Sequence, residues 1–168
     1  MNYKIIVAID SNNGIGINNK LPWDIKNDMK KFVELTKGNG NNAIIMGKNT
    51  WLSLPKKPLA NRYNIILSTT LNNNDFLNKN IKVINNINKA LDFCKNKFDN
   101  IWIIGGEKIY KQFLEKGLVQ EIYITEIEND FKCDCFFPKL NLNEWSLIKY
   151  DLFRDNNYNI YNKLYIKK

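Results

Sequence analysis

The sequence predicts an α/β protein: a single domain over residues 1–168, with a twisted, mostly parallel eight-stranded sheet, an antiparallel C-terminal edge and about four flanking helices. Three observations carry that expectation. Short runs dense in isoleucine, leucine and valine recur along the chain, too continuous to alternate, as strands buried on both faces require. Segments with helical spacing of apolar residues fall between them. Towards the C-terminus three strand-like runs follow one another with no long helix between, which predicts antiparallel pairing.

The first strand is residues 4–10, nearly all apolar. A helix follows from position 25, where Ile25, Met29, Phe32 and Val33 take the spacing of a buried stripe. Asp24 precedes the first periodic residue and is the expected N-cap. The helix ends near 37, before the turn signals Gly38-Asn-Gly-Asn-Asn42. Residues 42–47 form a second buried strand, 48–54 a short helix halted by Pro55, 64–68 a third strand and 81–84 a fourth. An amphipathic helix spans 87–98 with Ala90, Leu91 and Cys94 inward. A fifth strand at 100–104 turns on Gly105-Gly106 into a helix reaching 116. Residues 120–127, 145–153 and 158–166 complete the sheet. In such sheets ligands bind beyond the carboxyl ends of strands, here the loops after Asp10, Gly47, Ser68 and Ile104.

Composition narrows the chemistry. A chain of 168 residues buries about 70% of its unfolded surface as one domain. Its 25 lysines and arginines against 17 acids give a net charge of +8, yet Arg62 and Arg154 are the only arginines and lysine is scattered. That suits attraction to anionic small molecules, not a nucleic-acid footprint, which clusters basic residues and reads bases with arginine. No apolar run is long enough for a membrane span, and residues 1–10 lack the length and flanks of a signal peptide, so a soluble cytoplasmic protein is expected. The abundant asparagine reads as a surface drift in composition. Three cysteines make no disulfide framework, and Cys133-x-Cys135 without any histidine makes no zinc site, so no metal is expected. The absence of histidine excludes Ser-His-Asp and Cys-His mechanisms. Proton chemistry falls to a carboxylate, lysine, tyrosine or water.

Asp28 is the most informative residue. It lies on the apolar side of its helix, while Lys26, Lys30, Lys31 and Glu34 take the other. A buried carboxylate is either paired or functional. Two strand–glycine–helix turns, Met46-Gly-Lys-Asn-Thr-Trp51 and Ile101-Trp-Ile-Ile-Gly-Gly-Glu-Lys-Ile-Tyr110, let a ligand approach the backbone and offer unpaired N–H groups to phosphate. Lys48 alone reads as a surface lysine; with Lys108 it makes a dinucleotide site plausible. Ser68-Thr69-Thr70 adds hydroxyls for a ribose phosphate. Arg62 either grips a ligand carboxylate two-pronged or serves a structural ion pair.

Taken in order, Asn13-Gly-Ile-Gly16, Leu21-Pro-Trp23, Asp28 with Phe32, Met46-Gly-Lys-x-Thr-Trp51, Pro58-Leu-x-Asn-Arg62, Ile104-Gly-Gly-x3-Tyr110, Thr125 and Phe136-Phe-Pro138 resemble the dihydrofolate reductase family. The resemblance implies NADPH as cofactor, dihydrofolate as substrate, antifolates as further ligands and a monomer. It implies hydride delivery to C6 of the pterin and a proton gained at N5 through ordered water. Asp28 would hold the pterin 2-amino group and N3, Thr125 would hydrogen-bond that carboxylate, and Trp23 would hold the nearby water. The substrate pocket would comprise Ile6, Val7, Met29, Phe32, Leu54, Leu59, Ile104 and Tyr110, with Arg62 on the glutamate α-carboxylate. Ala8, Ile15, Gly16, Asn19, Lys20 and Leu21 would meet the nicotinamide side, with Ile15, Gly16, Asn19 and Lys20 in a mobile loop with glycine hinges that excludes water. Gly47, Lys48, Asn49, Thr50, Leu67, Ser68, Thr69, Gly105, Gly106, Glu107, Lys108, Ile109 and Tyr110 would complete the cofactor site, with a cis peptide at Gly105–Gly106.

Two departures matter. Thr69 stands where relatives often carry arginine, which leaves the NADPH 2′-phosphate to Ser68, Lys48 and Thr70. Asp28 resembles bacterial members, whereas Gly14-Ile-Gly16 and residues 133–138 resemble eukaryotic or protist ones. A pyrimidine reductase of riboflavin synthesis, a binding module with the same fold, and a basic RNA-binding protein remain as alternatives.

Overall fold

The computed structural model describes all 168 residues. Its strands and helices run β1 (Asn2–Asp10), β2 (Gly14–Gly16), α1 (Lys26–Lys37), β3 (Asn42–Gly47), α2 (Lys48–Ser53), β4 (Tyr63–Leu67), β5 (Ile81–Ile84), α3 (Ile87–Cys94), β6 (Asn100–Gly105), α4 (Glu107–Glu115), β7 (Val119–Ile127), β8 (Cys135–Phe136), β9 (Trp145–Asp155) and β10 (Tyr158–Lys167). Eight strands form one sheet in the order β5-β4-β3-β6-β1-β7-β10-β9. The expected architecture is present: parallel through its centre, antiparallel at the C-terminal edge, with four helices.

The central strands are apolar on both faces because helices cover both. On one face Ile5, Val7, Ile9, Ile45, Ile65 and Ile103 pack with Ala90 and Cys94 of α3 and Ile109 and Phe113 of α4. On the other, Ile6, Ile44, Met46, Ile66 and Trp102 pack with Trp51 of α2, with Phe32 and Leu35 of α1 against them. A third cluster joins Trp23 and Ile25 to Ile127 and Ile160. No helix is long and apolar enough to cross a membrane.

The three C-terminal strands pair antiparallel as expected, β10 against β7 and β9 against β10, while β7 joins β1 in parallel, with Ala8 opposite Thr125, through the crossover helix α4. Three expectations need correction. Helix α1 is capped at Ile25, with no side-chain cap, so Asp24 is not the N-cap. Its apolar stripe is rotated: Met29 and Val33 are 50% and 39% exposed, while Thr36 is fully buried. Thr36 earns that place by donating to Phe32 O at 2.6 Å and accepting from Arg62 at 2.9 Å. Helix α3 stops at Cys94 because Asn96 takes φ +58°.

Asparagine has a structural use. Of eight non-glycine residues with positive φ, seven are asparagine: 13, 18, 19, 61, 96, 156 and 157. Asparagine tolerates the left-handed region better than other residues bearing a Cβ. The composition therefore follows tight turns as well as surface drift.

Candidate active site

The carboxyl ends of β1, β3, β4 and β6 lie along one edge of the sheet, because these neighbours pair in parallel, and there a ligand cleft is expected. Asp28 stands in the first turn of α1. Burial pushes its carboxyl above the usual carboxylate range, opposed by a hydrogen bond from Thr125 and the charge of Lys31. No lysine or arginine forms an ion pair with it. Thr125 on β7 is buried. Tyr110 of α4 is buried, donates to Ile6 O at 3.0 Å, and has its phenol raised first by burial and then by Asp28. Trp23 is buried beside Phe131, ring centroids 5.2 Å apart, and its indole Nε1 is buried with no partner. Such a donor is a rarity that a bound water would satisfy. Phe32, Leu54, Leu59 and Ile104 are half-buried around Ile6, an apolar wall for a flat ring.

Arg62 is buried at the cleft's outer end. Its Nε donates to Ala60 O at 3.0 Å, one terminal nitrogen donates to Thr36 Oγ1 at 2.9 Å, and its guanidinium lies 5.9 Å from the Phe32 ring centre. No acid pairs with it, so the structural ion pair is excluded. Val7 packs into the core on the far side of the sheet, leaving only its main chain for the cleft. Met29 stands outside the wall, exposed.

The two glycine turns are neighbours because β3 and β6 are paired. A Cβ on Gly47 would stand 3.2 Å from Ile109, and one on Gly105 3.3 Å from the Tyr110 hydroxyl. Gly105 has φ +124°, and the Gly105–Gly106 peptide is cis, as the resemblance implied; Lys57–Pro58 is also cis, which was not foreseen. Gly106 caps α4, so the first N–H groups of that helix point along its axis without intrahelical partners. Thr50 lies beside Gly106. Lys48 donates to Thr70 Oγ1 at 2.7 Å, and Ser68 Oγ accepts from Thr70 N and Leu71 N at 3.2 and 3.1 Å. A cation and two hydroxyls thus converge at the β4 end, while Thr69 is exposed beside them and Leu67 is half-buried. Asn49 and Lys108 are exposed. Ile109 points into the core, and the Glu107 carboxylate accepts from Phe136 N at 3.1 Å. These two leave only main chain for a cofactor.

The loop after β1 is a hairpin. Ile17 and Lys20 exchange backbone hydrogen bonds at 2.9 and 3.0 Å around Asn18 and Asn19, whose positive φ values (49° and 59°) suit a tight two-residue turn. Strand β2 pairs with β8, and Asn18 N donates to Asp134 at 3.0 Å. Gly14 and Gly16 do not take positive φ; the turn freedom resides in asparagine. Gly14 is needed for space, since a Cβ there would sit 2.5 Å from Cys133 Cβ. Ile15 leans on the core, Ala8 on Trp23, and Asn19, Lys20 and Leu21 are exposed.

Sequence reasoning did not single out Asp10. Its buried carboxylate accepts from Asn12 N at 2.9 Å, Gly14 N at 2.7 Å and Phe131 N at 3.1 Å. An acid closing an otherwise apolar strand was the available signal.

A half-buried acid beside an apolar wall, with a lysine and two hydroxyls at the end of a neighbouring strand of one open α/β sheet, suits a reductase that takes a nucleotide cofactor and a flat heterocycle. A family model described as dihydrofolate reductase matches residues 2–167. The chain is 38% identical over 148 residues to the dihydrofolate reductase of Drosophila melanogaster, covering 83% of this chain and 81% of that protein. It is 36% identical over 160 residues to that of Aedes albopictus (89% and 85%) and 35% over 159 residues to that of Gallus gallus (85% and 81%). The chain belongs to the dihydrofolate reductase family, whose members use NADPH. It is an oxidoreductase with dihydrofolate reductase activity.

Proposed function

We propose that Asp28, Trp23 and Thr125 carry the reaction's acid chemistry and that the residues named around them hold substrate and cofactor. The observation that carries this reading is Asp28 itself: a carboxylate drawn out of water beside an apolar slot, with no cation bonded to it. A charge-assisted, two-pronged contact with the pterin 2-amino group and N3 supplies the missing partner. Ile6, Phe32, Leu54, Leu59 and Ile104 enclose the rings, and Arg62, free of acids, takes the glutamate α-carboxylate.

NADPH, when bound, supplies the hydride that reduces pterin C6. The chain's own part is orientation, exclusion of water and control of a proton. The main chain of Gly105, Gly106, Glu107 and Lys108 meets the pyrophosphate at the α4 N-terminus. Lys48, Ser68 and Thr70 take the 2′-phosphate in place of an arginine, and Asn49, Thr50 and Thr69 flank it. Ala8, Tyr110 and the hairpin carrying Ile15, Gly16, Asn19, Lys20 and Leu21 close on the nicotinamide. Trp23 Nε1 holds a water near Asp28, and the proton for pterin N5 arrives through such water, polarised by the carboxylate.

We propose further that the protein acts as a cytosolic monomer, as the family resemblance implies. Light scattering on a sizing column checks the monomer. The activity test mixes the protein with NADPH and dihydrofolate and follows nicotinamide absorbance. The expected outcome is steady loss of signal, stopped by near-stoichiometric methotrexate. NADPH binding without turnover would sink the assignment of these residues to catalysis.

A further inference from the structure

Lys31 and Asn162 form a polar link behind Asp28 that the reaction described above does not use. Lys31 follows Asp28 by three positions on α1, so both occupy one face of the helix. The lysine is half-buried, and burial lowers its pKa although Asp28 favours its charge. Its Nζ donates to Asn162 Oδ1 on β10 at 2.8 Å. The same oxygen accepts from Thr125 Oγ1 at 3.3 Å, and Thr125 also faces the Asp28 carboxylate.

One hydroxyl carries one proton, so Thr125 cannot donate to Asp28 and to Asn162 together. With Asp28 ionised, its carboxylate is the stronger acceptor and takes that proton. With Asp28 protonated, the acid O–H donates to Thr125 Oγ1, and the threonine proton turns to Asn162 Oδ1. No atom leaves the chain; the hydroxyl only reverses. A cation on Asn162 Oδ1 draws off the electron density that the second arrangement needs. We propose that Lys31 is a positioning residue which, through Asn162 and across the face of α1, keeps the Thr125 proton on the Asp28 carboxylate and so sets the upper pH limit of turnover.

The other charges around this link are accounted for. On β9, Lys149 and Asp151 both face Lys31 with opposite effect, and they pair with each other at 3.5 Å. Lys163 of β10 is bound to Glu126 of β7. From α4 only the Tyr110 phenol faces Asp28. Lys31 is thus the one cation acting directly on the carboxylate.

The proposal rests on the reading of Asp28 given above, so its test has an arm independent of catalysis. Lys31→Met preserves the apolar stem without the charge, Lys31→Gln replaces the cation with a neutral amide donor, and Lys31→Arg keeps the charge. In ligand-free protein the Asp28 carboxyl carbon is titrated by NMR, and in parallel kcat/KM is followed against pH. The titration midpoint should move to higher pH by roughly one unit in the Met and Gln variants, with the alkaline fall in kcat/KM moving alongside it, and Arg should restore both. A midpoint that stays in place in the folded neutral variants, or a rate profile that does not follow it, overturns the proposal. A midpoint that moves in a protein unable to reduce dihydrofolate supports the link and sinks the catalytic reading of Asp28.

Discussion

The two ends of the cleft handle charge in opposite ways. At the proposed pterin end one acid is partly withdrawn from water and faces the Tyr110 phenol, near an apolar wall that includes Ile6 and Phe32. At the nucleotide end a lysine and two hydroxyls stand at the surface, joined by short hydrogen bonds. In the first region desolvation sets the behaviour of the charge, and salt screens little of it. In the second, water and ions compete for each contact, so many weak contacts replace one strong one. On the proposed reading, chemistry belongs to the first region and affinity to the second.

Asp28→Asn should break this contrast most severely. Turnover at neutral pH should fall about 10²–10⁴-fold and recover partly in acid, where solvent protonates the substrate beforehand. A kcat/KM unchanged at every pH would remove Asp28 from the reaction. The same variant also reports on folding. A carboxyl that keeps its proton to higher pH in the folded chain than in the unfolded one loses stability as pH rises through that interval. Asp28→Asn should therefore be more stable than the parent at neutral pH, with the gain vanishing below the ordinary carboxylate range. Urea unfolding at the two pH values decides it.

Arg62→Leu should come next. Loss of a charge-assisted pair of hydrogen bonds is worth about 1.5–3 kcal/mol, roughly ten- to hundredfold in KM for dihydrofolate. A pterin lacking the glutamate should be reduced by parent and variant alike; equal loss for both substrates would assign Arg62 to the support of Thr36 instead. The smallest effect belongs to the surface end. Lys48→Gln should raise KM for NADPH by about fivefold at low salt, leave NADH unchanged and differ less from the parent as salt rises. Equal kcat/KM for the two cofactors in the parent would dissolve the 2′-phosphate corner altogether.

Much of this was visible in the chain. Residues 42–47 and 81–84 form strands with the bounds expected; the first announces itself by an apolar run buried on both faces, the second by its β-branched residues at the sheet edge. Asp28, Arg62 and the glycine pair were legible since each defies its surroundings: an acid among apolar residues, a rare arginine, two residues without side chains before a helix. The rotated face of α1 was not, because Thr36 looks like a surface residue until Arg62 folds over it. Strands β2 and β8, three and two residues long, have no period to detect. Nor does local sequence reveal that β7 slots in beside β1, which depends on the crossover through α4. Lys31 reads as solvent-facing for the same reason as Thr36: its partner Asn162 lies 131 positions away.

Asp10 has a mechanical consequence. Its carboxylate grips both the segment leading into the hairpin and the one approaching β8, through Asn12, Gly14 and Phe131. Two segments tied to one post are mechanically coupled. Any opening of the hairpin would pivot about that post and draw its neighbour along, so a probe fixed on either segment would record the same motion.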